Sequence, residues 1–144
     1  MYQLNYYSKS QPGLSLEHLD NILETAVSVN AKKSISGCLI YHNNSFVQIL
    51  EGEKKDVLEI FEKIKTDDRH HSIHLLWENH VDKRYFKKWD MAYYKPNDQF
   101  ATQFVDNLLL LSAFSEKSSG SLMSFWGHVR RVLESGSKQE LENV

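Results

Sequence analysis

The sequence predicts an α+β fold of the ferredoxin-like kind, a β-α-β-β-α-β-β sheet with two helices on one face. Three observations predict it. The stretch Ser45-Phe46-Val47-Gln48-Ile49-Leu50-Glu51-Gly52 alternates, yet both of its faces are mostly apolar, so it reads as a central strand. Segments with apolar residues at helical spacing stand before and after the hairpin that contains this strand. Pro12-Gly13, Asn43-Asn44 and Gly52 fall between these segments, where turns are needed, and not inside them.

Tyr2 to Ser8 alternates as a first strand, with Tyr2, Leu4, Tyr6 and Ser8 on one face. Ser15 is suited to cap a helix, and Leu16, Leu19, Ile22, Leu23, Ala26 and Val29 then recur on one helical stripe to about Asn30. Ser36 to Tyr41 and the Gln48 strand form an antiparallel hairpin across Asn43-Asn44. Val57, Leu58, Phe61 and Ile64 mark a second amphipathic helix from Lys54 to about Thr66. Ile73 to Glu78 reads as a fourth strand and Trp89 to Tyr94 as a fifth, with Trp89 and Met91 sharing a face. In such a plan the first and third strands are neighbours, which sets Tyr6 beside Gln48 under the helices.

The pattern changes after Pro96. Phe100, Phe104, Leu108, Leu109 and Leu111 suggest a third helix, Ser115 to Ser121 a polar loop, and Leu122 to Leu133 a fourth helix. The expected organisation is a sheet domain at 1–95, a helical cap at 96–134 covering the second sheet face, and a frayed tail at 135–144.

At 144 residues the chain is long enough to bury a core without staples, and its net charge of −2 excludes a general polyanion binder. The short apolar runs and the first residues lack a membrane span or a leader, so a soluble, cytoplasmic protein is expected, with no nucleic-acid or membrane partner. Cys38 stands alone, which rules out an internal disulfide and a thiolate metal site. The spacing of His70, His71 and His74 is not that of a zinc site. Glu51, Glu53, Asp67 and Asp68 read as solvated turn carboxylates, and no phosphate loop or nucleophile motif is present. An acylphosphatase-like hydrolase would need an arginine after the first strand, where the chain has Ser8-Lys9-Ser10-Gln11-Pro12-Gly13. No enzyme is expected.

What remains is chemistry suited to a switch. Gln48 is an amide in a buried row, and leaving it unpaired costs about 1–3 kcal/mol. Its partner is a backbone carbonyl, a buried water or a ligand with its own donor–acceptor edge. Tyr6 is a one-electron donor whose oxidation can be coupled to loss of its phenolic proton. Each of these residues, with Trp89 and Met91, is an ordinary core residue when taken alone.

Five motifs occur in order: Tyr6-Tyr7-Ser8; Asn30-Ala31 with Ile35-Ser36-Gly37; Phe46 to Gly52; Asp67-Asp68-Arg69-His70; and Arg84-Tyr85-Phe86 with Trp89-Asp90-Met91. On these motifs Tyr2 to Tyr94 resembles the BLUF domain, the blue-light sensors that use FAD. Val29 and the Asn43-Asn44 turn depart from residues common there.

The resemblance implies a flavin between the first two helices, with its ring over Tyr6 and Gln48. Asn30 would bond its polar edge, Arg69 and His70 would lie near that edge or the ribityl chain, and Ile22 and Ala26 would wall the ring. Lys32 or Lys33 would meet the phosphates. FAD as the cofactor also comes from the resemblance. It further implies light-driven electron and proton transfer from Tyr6 through Gln48, with Trp89 and Met91 relaying the change. Output would then run through the C-terminal helices to a homo-oligomer or a downstream signalling protein. A light-insensitive interaction adaptor and a flavin-dependent redox enzyme are the alternatives.

Overall fold

The computed structural model describes residues 1–95, 99–111 and 119–142. Its elements are β1 (Tyr2–Ser10), α1 (Leu16–Lys33), β2 (Ser36–His42), β3 (Ser45–Gly52), α2 (Lys54–Lys65), β4 (His70–His80), β5 (Ala92–Tyr94), α3 (Gln99–Leu111) and α4 (Ser119–Glu142). The five strands form one sheet in the order β4-β1-β3-β2-β5. β3 is central, paired antiparallel with β1 on one side and β2 on the other, and every residue of it is buried. That burial on both faces explains its nearly continuous apolar character.

Local chemistry sets the connections. Asn43 and Asn44 both take positive φ, 49° and 58°, the conformation a two-residue hairpin turn demands and asparagine tolerates. Ser15 and His18 form a reciprocal cap at the start of α1, and Ser34 closes its end in the left-handed conformation. α1 and α2 pack on the sheet face carrying Tyr2, Leu4 and Tyr6. Leu19 from α1 and Val57, Ile60 and Phe61 from α2 join that core.

Gly37 shows how tightly the sheet is built. A Cβ there would lie 2.1 Å from the Ile49 carbonyl oxygen and 3.2 Å from Cε of Met91. The obstacle is backbone, so Gly37→Ala should destabilise at the upper end of the ~1–3 kcal/mol overpacking range. The check is a lower urea midpoint at unchanged slope.

Two boundaries differ from the sequence reading. β4 is longer than the expected Ile73–Glu78. The fifth strand is shorter, because its ladder with β2 begins only at Cys38 opposite Ala92. Trp89 and Met91 therefore precede the strand and do not lie on it.

The chain divides into two compact units, Met1–Lys95 and Pro96–Val144. In the second, the rings of Phe104 and Phe125 stack at 4.4 Å, and Val105, Phe125, Trp126 and Val129 are buried. The fourth helix runs beyond the expected Leu133. The stretch expected to fray is helical to Glu142, since good helix formers return after Gly136. Most of the polar loop expected at 115–121 lies outside the described residues.

Candidate functional site

A cleft of about 190 Å³ opens between α1, α2 and the sheet. Ile22, Ala26 and Val29 form one wall, at the i, i+4, i+7 spacing of a single helix face. Ile60 and Ile64 form the facing wall, with Leu39, Gln48 and Leu50 as the sheet floor. Asn30, Asp67 and Arg69 add polar groups to the lining. α1 buries only Leu19 and Asn30 fully, so its apolar stripe is half-covered where it borders the cleft.

The polar groups are held in place. Tyr6 and Gln48 are directly opposite in the β1–β3 register, and the Tyr6 hydroxyl donates to Oε1 of Gln48. Nε2 of Gln48 donates one hydrogen to Sδ of Met91 at 3.3 Å and keeps a second for the cleft. Asn30, 2% exposed, donates from Nδ2 to the Asp90 carbonyl at 2.8 Å, leaving Oδ1 and its other hydrogen for an occupant. Arg69 grips Asp67 through Nε at 2.9 and 3.2 Å. That hydrogen bonding holds the Asp67 carboxyl below its usual range, against the opposing effect of burial. Tyr6 is fully buried, and burial first, then the charge of Asp67, raises its phenol far above the ordinary value. Burial thus favours the protonated phenol, the form that donates to Gln48.

Several expected residues stand elsewhere. Tyr6 does not line the cleft. Its ring packs 5.4 Å from Phe61, and it reaches the cleft only through Gln48. His70 is a clasp: Nε2–H donates to the Ile64 carbonyl at 2.6 Å, and Nδ1 shares a hydrogen bond of 2.7 Å with the Ser8 hydroxyl. It borders a small recess beside the cleft that it shares with Ile22, Ile64 and Arg69. Lys32 is exposed and does not line the cleft, and Lys33 pairs across to Glu59 at 3.3 Å. The lysine on the cleft is Lys63, which follows from the α2 helical period, since Ile60, Lys63 and Ile64 share a face. Met91 touches the glutamine, whereas Trp89 lies half-buried against Phe86 at 6.1 Å between ring centres. Glu51, read from sequence as a solvated carboxylate, is fully buried.

A family model described as sensors of blue light using FAD, BLUF, matches residues 1–92. The chain belongs to the BLUF family. It is thus a blue-light sensor whose cofactor is FAD. The photo-activated state of BlsA superposes with a TM-score of 0.77 at 31% identity, over 90% of this chain and 94% of that one. A bacterial light-regulated adenylyl cyclase gives 0.68 at 33% identity, over 78% of this chain and 34% of its own. Among curated relatives, the photoactivated adenylate cyclase subunit beta of Euglena longa is 42% identical over 67 residues, 46% of this chain. The chain spans 8% of that relative's length.

The BLUF cleft suits a flavin. Two apolar walls match the faces of a flat heterocycle, and amides of Asn30 and Gln48 with hydrogens to spare match its polar edge. Among the described residues no group of His, Cys, Asp or Glu is arranged to hold a metal. No helix among them is long and apolar enough to cross a membrane.

Proposed function

We propose that this BLUF chain senses light through Tyr6 and Gln48 and signals by rearranging the segment that ends in Met91. Asn30, Gln48, Arg69, Ile22 and Ala26 would hold the flavin, with Lys63 at the cleft margin in place of Lys32. FAD supplies a chromophore that absorbs blue light and then attracts an electron strongly. Tyr6 is the nearest buried donor to the amide that lines the cleft, and losing an electron makes its phenol sharply acidic. Its existing hydrogen bond gives the proton one path, onto Oε1 of Gln48. Gln48 then passes a hydrogen from Nε2 toward the cleft. When the electron returns to Tyr6, a proton returns with it through Gln48 to the phenolic oxygen, and Gln48, an amide with unlike ends, is left in a different bonding pattern. The change is one or two hydrogen bonds, about 1–3 kcal/mol, enough to tip a balanced contact and far short of unfolding.

The observation that carries this reading is the shared position of Gln48. It accepts from Tyr6, lines the cleft and donates to Met91. A change in its orientation must alter the Met91 contact. Output would pass along the segment before β5 to the helical unit that follows in sequence, and from there to a second copy or another signalling protein. Turnover plays no part in this scheme.

The test is an absorption spectrum of the purified protein in darkness and immediately after blue light. Structured flavin bands that move to the red and recover in darkness are expected. Bound flavin that only bleaches would favour a redox enzyme, and a protein that takes up no FAD would favour an adaptor.

A further inference from the structure

On the sheet face opposite the cleft, Glu51 is fully buried and its carboxylate collects donors from two directions. Oε2 accepts from Nε2 of Gln3 at 3.0 Å and from the backbone N–H of Tyr85 at 2.7 Å. Oε1 accepts from the N–H of Phe86 at 2.8 Å. Arg84 fastens the same place, donating to the Ser36 hydroxyl at 2.9 Å and to the carbonyls of Glu51 and Ser34 at 3.2 and 2.6 Å. Residues 84–86 are thus tied to the ends of β2 and β3.

From there the chain runs as a strap to the cleft. Trp89 N–H donates to the Phe86 carbonyl, closing a turn, and Gly37 N–H donates to the Trp89 carbonyl. The next carbonyl, of Asp90, accepts from Asn30, and the next side chain, Met91, accepts from Gln48. One end of the strap is set by Glu51, and the other end touches both amides that face the cleft. A carboxylate that charge-assists two successive backbone N–H groups is a stronger anchor than a neutral side chain. Burial raises its pKa, opposed by the bonds from Tyr85, Phe86 and Gln3 and by the charge of Arg84. All three bonded partners are donors, the set that an acceptor-only carboxylate matches.

We propose that Glu51 is a positioning residue of the photosensor: it fixes the near end of the 84–91 strap and so sets Met91 against Gln48. Light-driven change at Gln48 then moves the far end of the strap against a fixed point. Only this light-dependent part rests on the Tyr6–Gln48 reading above. The dark-state anchoring stands apart from it.

The test uses the full-length, FAD-loaded chain with 13C-methyl methionine, in which Met91 is one of three methionines and is assigned by Met91→Leu. Glu51→Gln keeps the shape but turns an N–H₂ toward groups that are themselves donors. It should retain FAD and the red shift, move the Met91 methyl resonance in darkness, and speed dark recovery about fivefold, as for one hydrogen bond lost. Val57→Ala, a core cavity in α2, measures what destabilisation alone does and should leave the Met91 resonance in place. Glu51→Asp, which keeps the charge but shortens the reach, is read in the same way should the Gln variant not fold. An unmoved Met91 resonance with wild-type recovery, or an equal change in Val57→Ala, would overturn the proposal. Loss of the red shift in the wild type would sink the Tyr6–Gln48 reading instead, and the dark Met91 comparison would still decide the anchor.

Discussion

Tyr6→Phe should abolish the light-induced red shift while FAD stays bound. The substitution removes one oxygen. The ring keeps its place against Phe61, and because Tyr6 does not line the cleft, no contact with an occupant is lost. What disappears is the hydroxyl that donates to Oε1 of Gln48, and with it the proton that Gln48 would receive. Oε1 is left without its partner in a buried row, so stability should fall by about 1–3 kcal/mol. The measurement is a light-minus-dark difference spectrum at matched flavin occupancy. A red shift of normal size in the variant would mean that Gln48 rearranges without Tyr6, and the assignment of the donor would be wrong.

The parts of this site that were legible in the sequence are those fixed by period and topology. Alternation put Gln48 on one face of a central strand, the β-α-β-β-α-β-β order made the first and third strands neighbours, and the register then set Tyr6 opposite Gln48. Ile22 and Ala26 share one helical stripe, but the stripe alone reads as core, and only the family resemblance pointed to them and to Asn30 as site residues. What could not be read depends on loops and on groups at a distance. Trp89 and Met91 look like strand residues because they alternate with Ala92 and Tyr94. The backbone of Trp89 is engaged by Phe86 and Gly37, so the ladder starts later. Glu51 looked solvated because a carboxylate at a strand end usually is. Only the fold brings the N–H groups of Tyr85 and Phe86 to it across some 34 residues of chain. His70 sits in a recognisable motif, yet its two bonds go to Ser8 and Ile64, neither of which its local sequence indicates. Lys32 and Lys63 carry the same charge in similar settings. The choice between them depends on which face of each helix turns toward the cleft.

Ala26→Trp should weaken FAD binding by about a hundredfold or more, equivalent to about 3 kcal/mol, with little loss of fold. Ala26 lies midway along the α1 wall, one turn from both Ile22 and Asn30, and its methyl group faces the cleft. An indole there would occupy the volume that a flavin needs. It would displace no core side chain, because this stretch of α1 is only half-buried. Lys32→Ala, at an exposed position off the cleft, is the matched control and should bind FAD normally. The same geometry predicts the effect of the cofactor on stability. With Ile22, Leu23, Ala26 and Val29 only partly covered, an occupant completes the packing of α1, so FAD should raise the melting temperature. At free FAD a hundred times its dissociation constant the gain is about 2.7 kcal/mol. Ala26→Trp should lose that FAD-dependent gain while its melting temperature without FAD stays near that of the wild type. A variant that still gains stability from FAD would place the flavin outside this cleft, because no side chain of that size fits beside an occupant between α1 and α2.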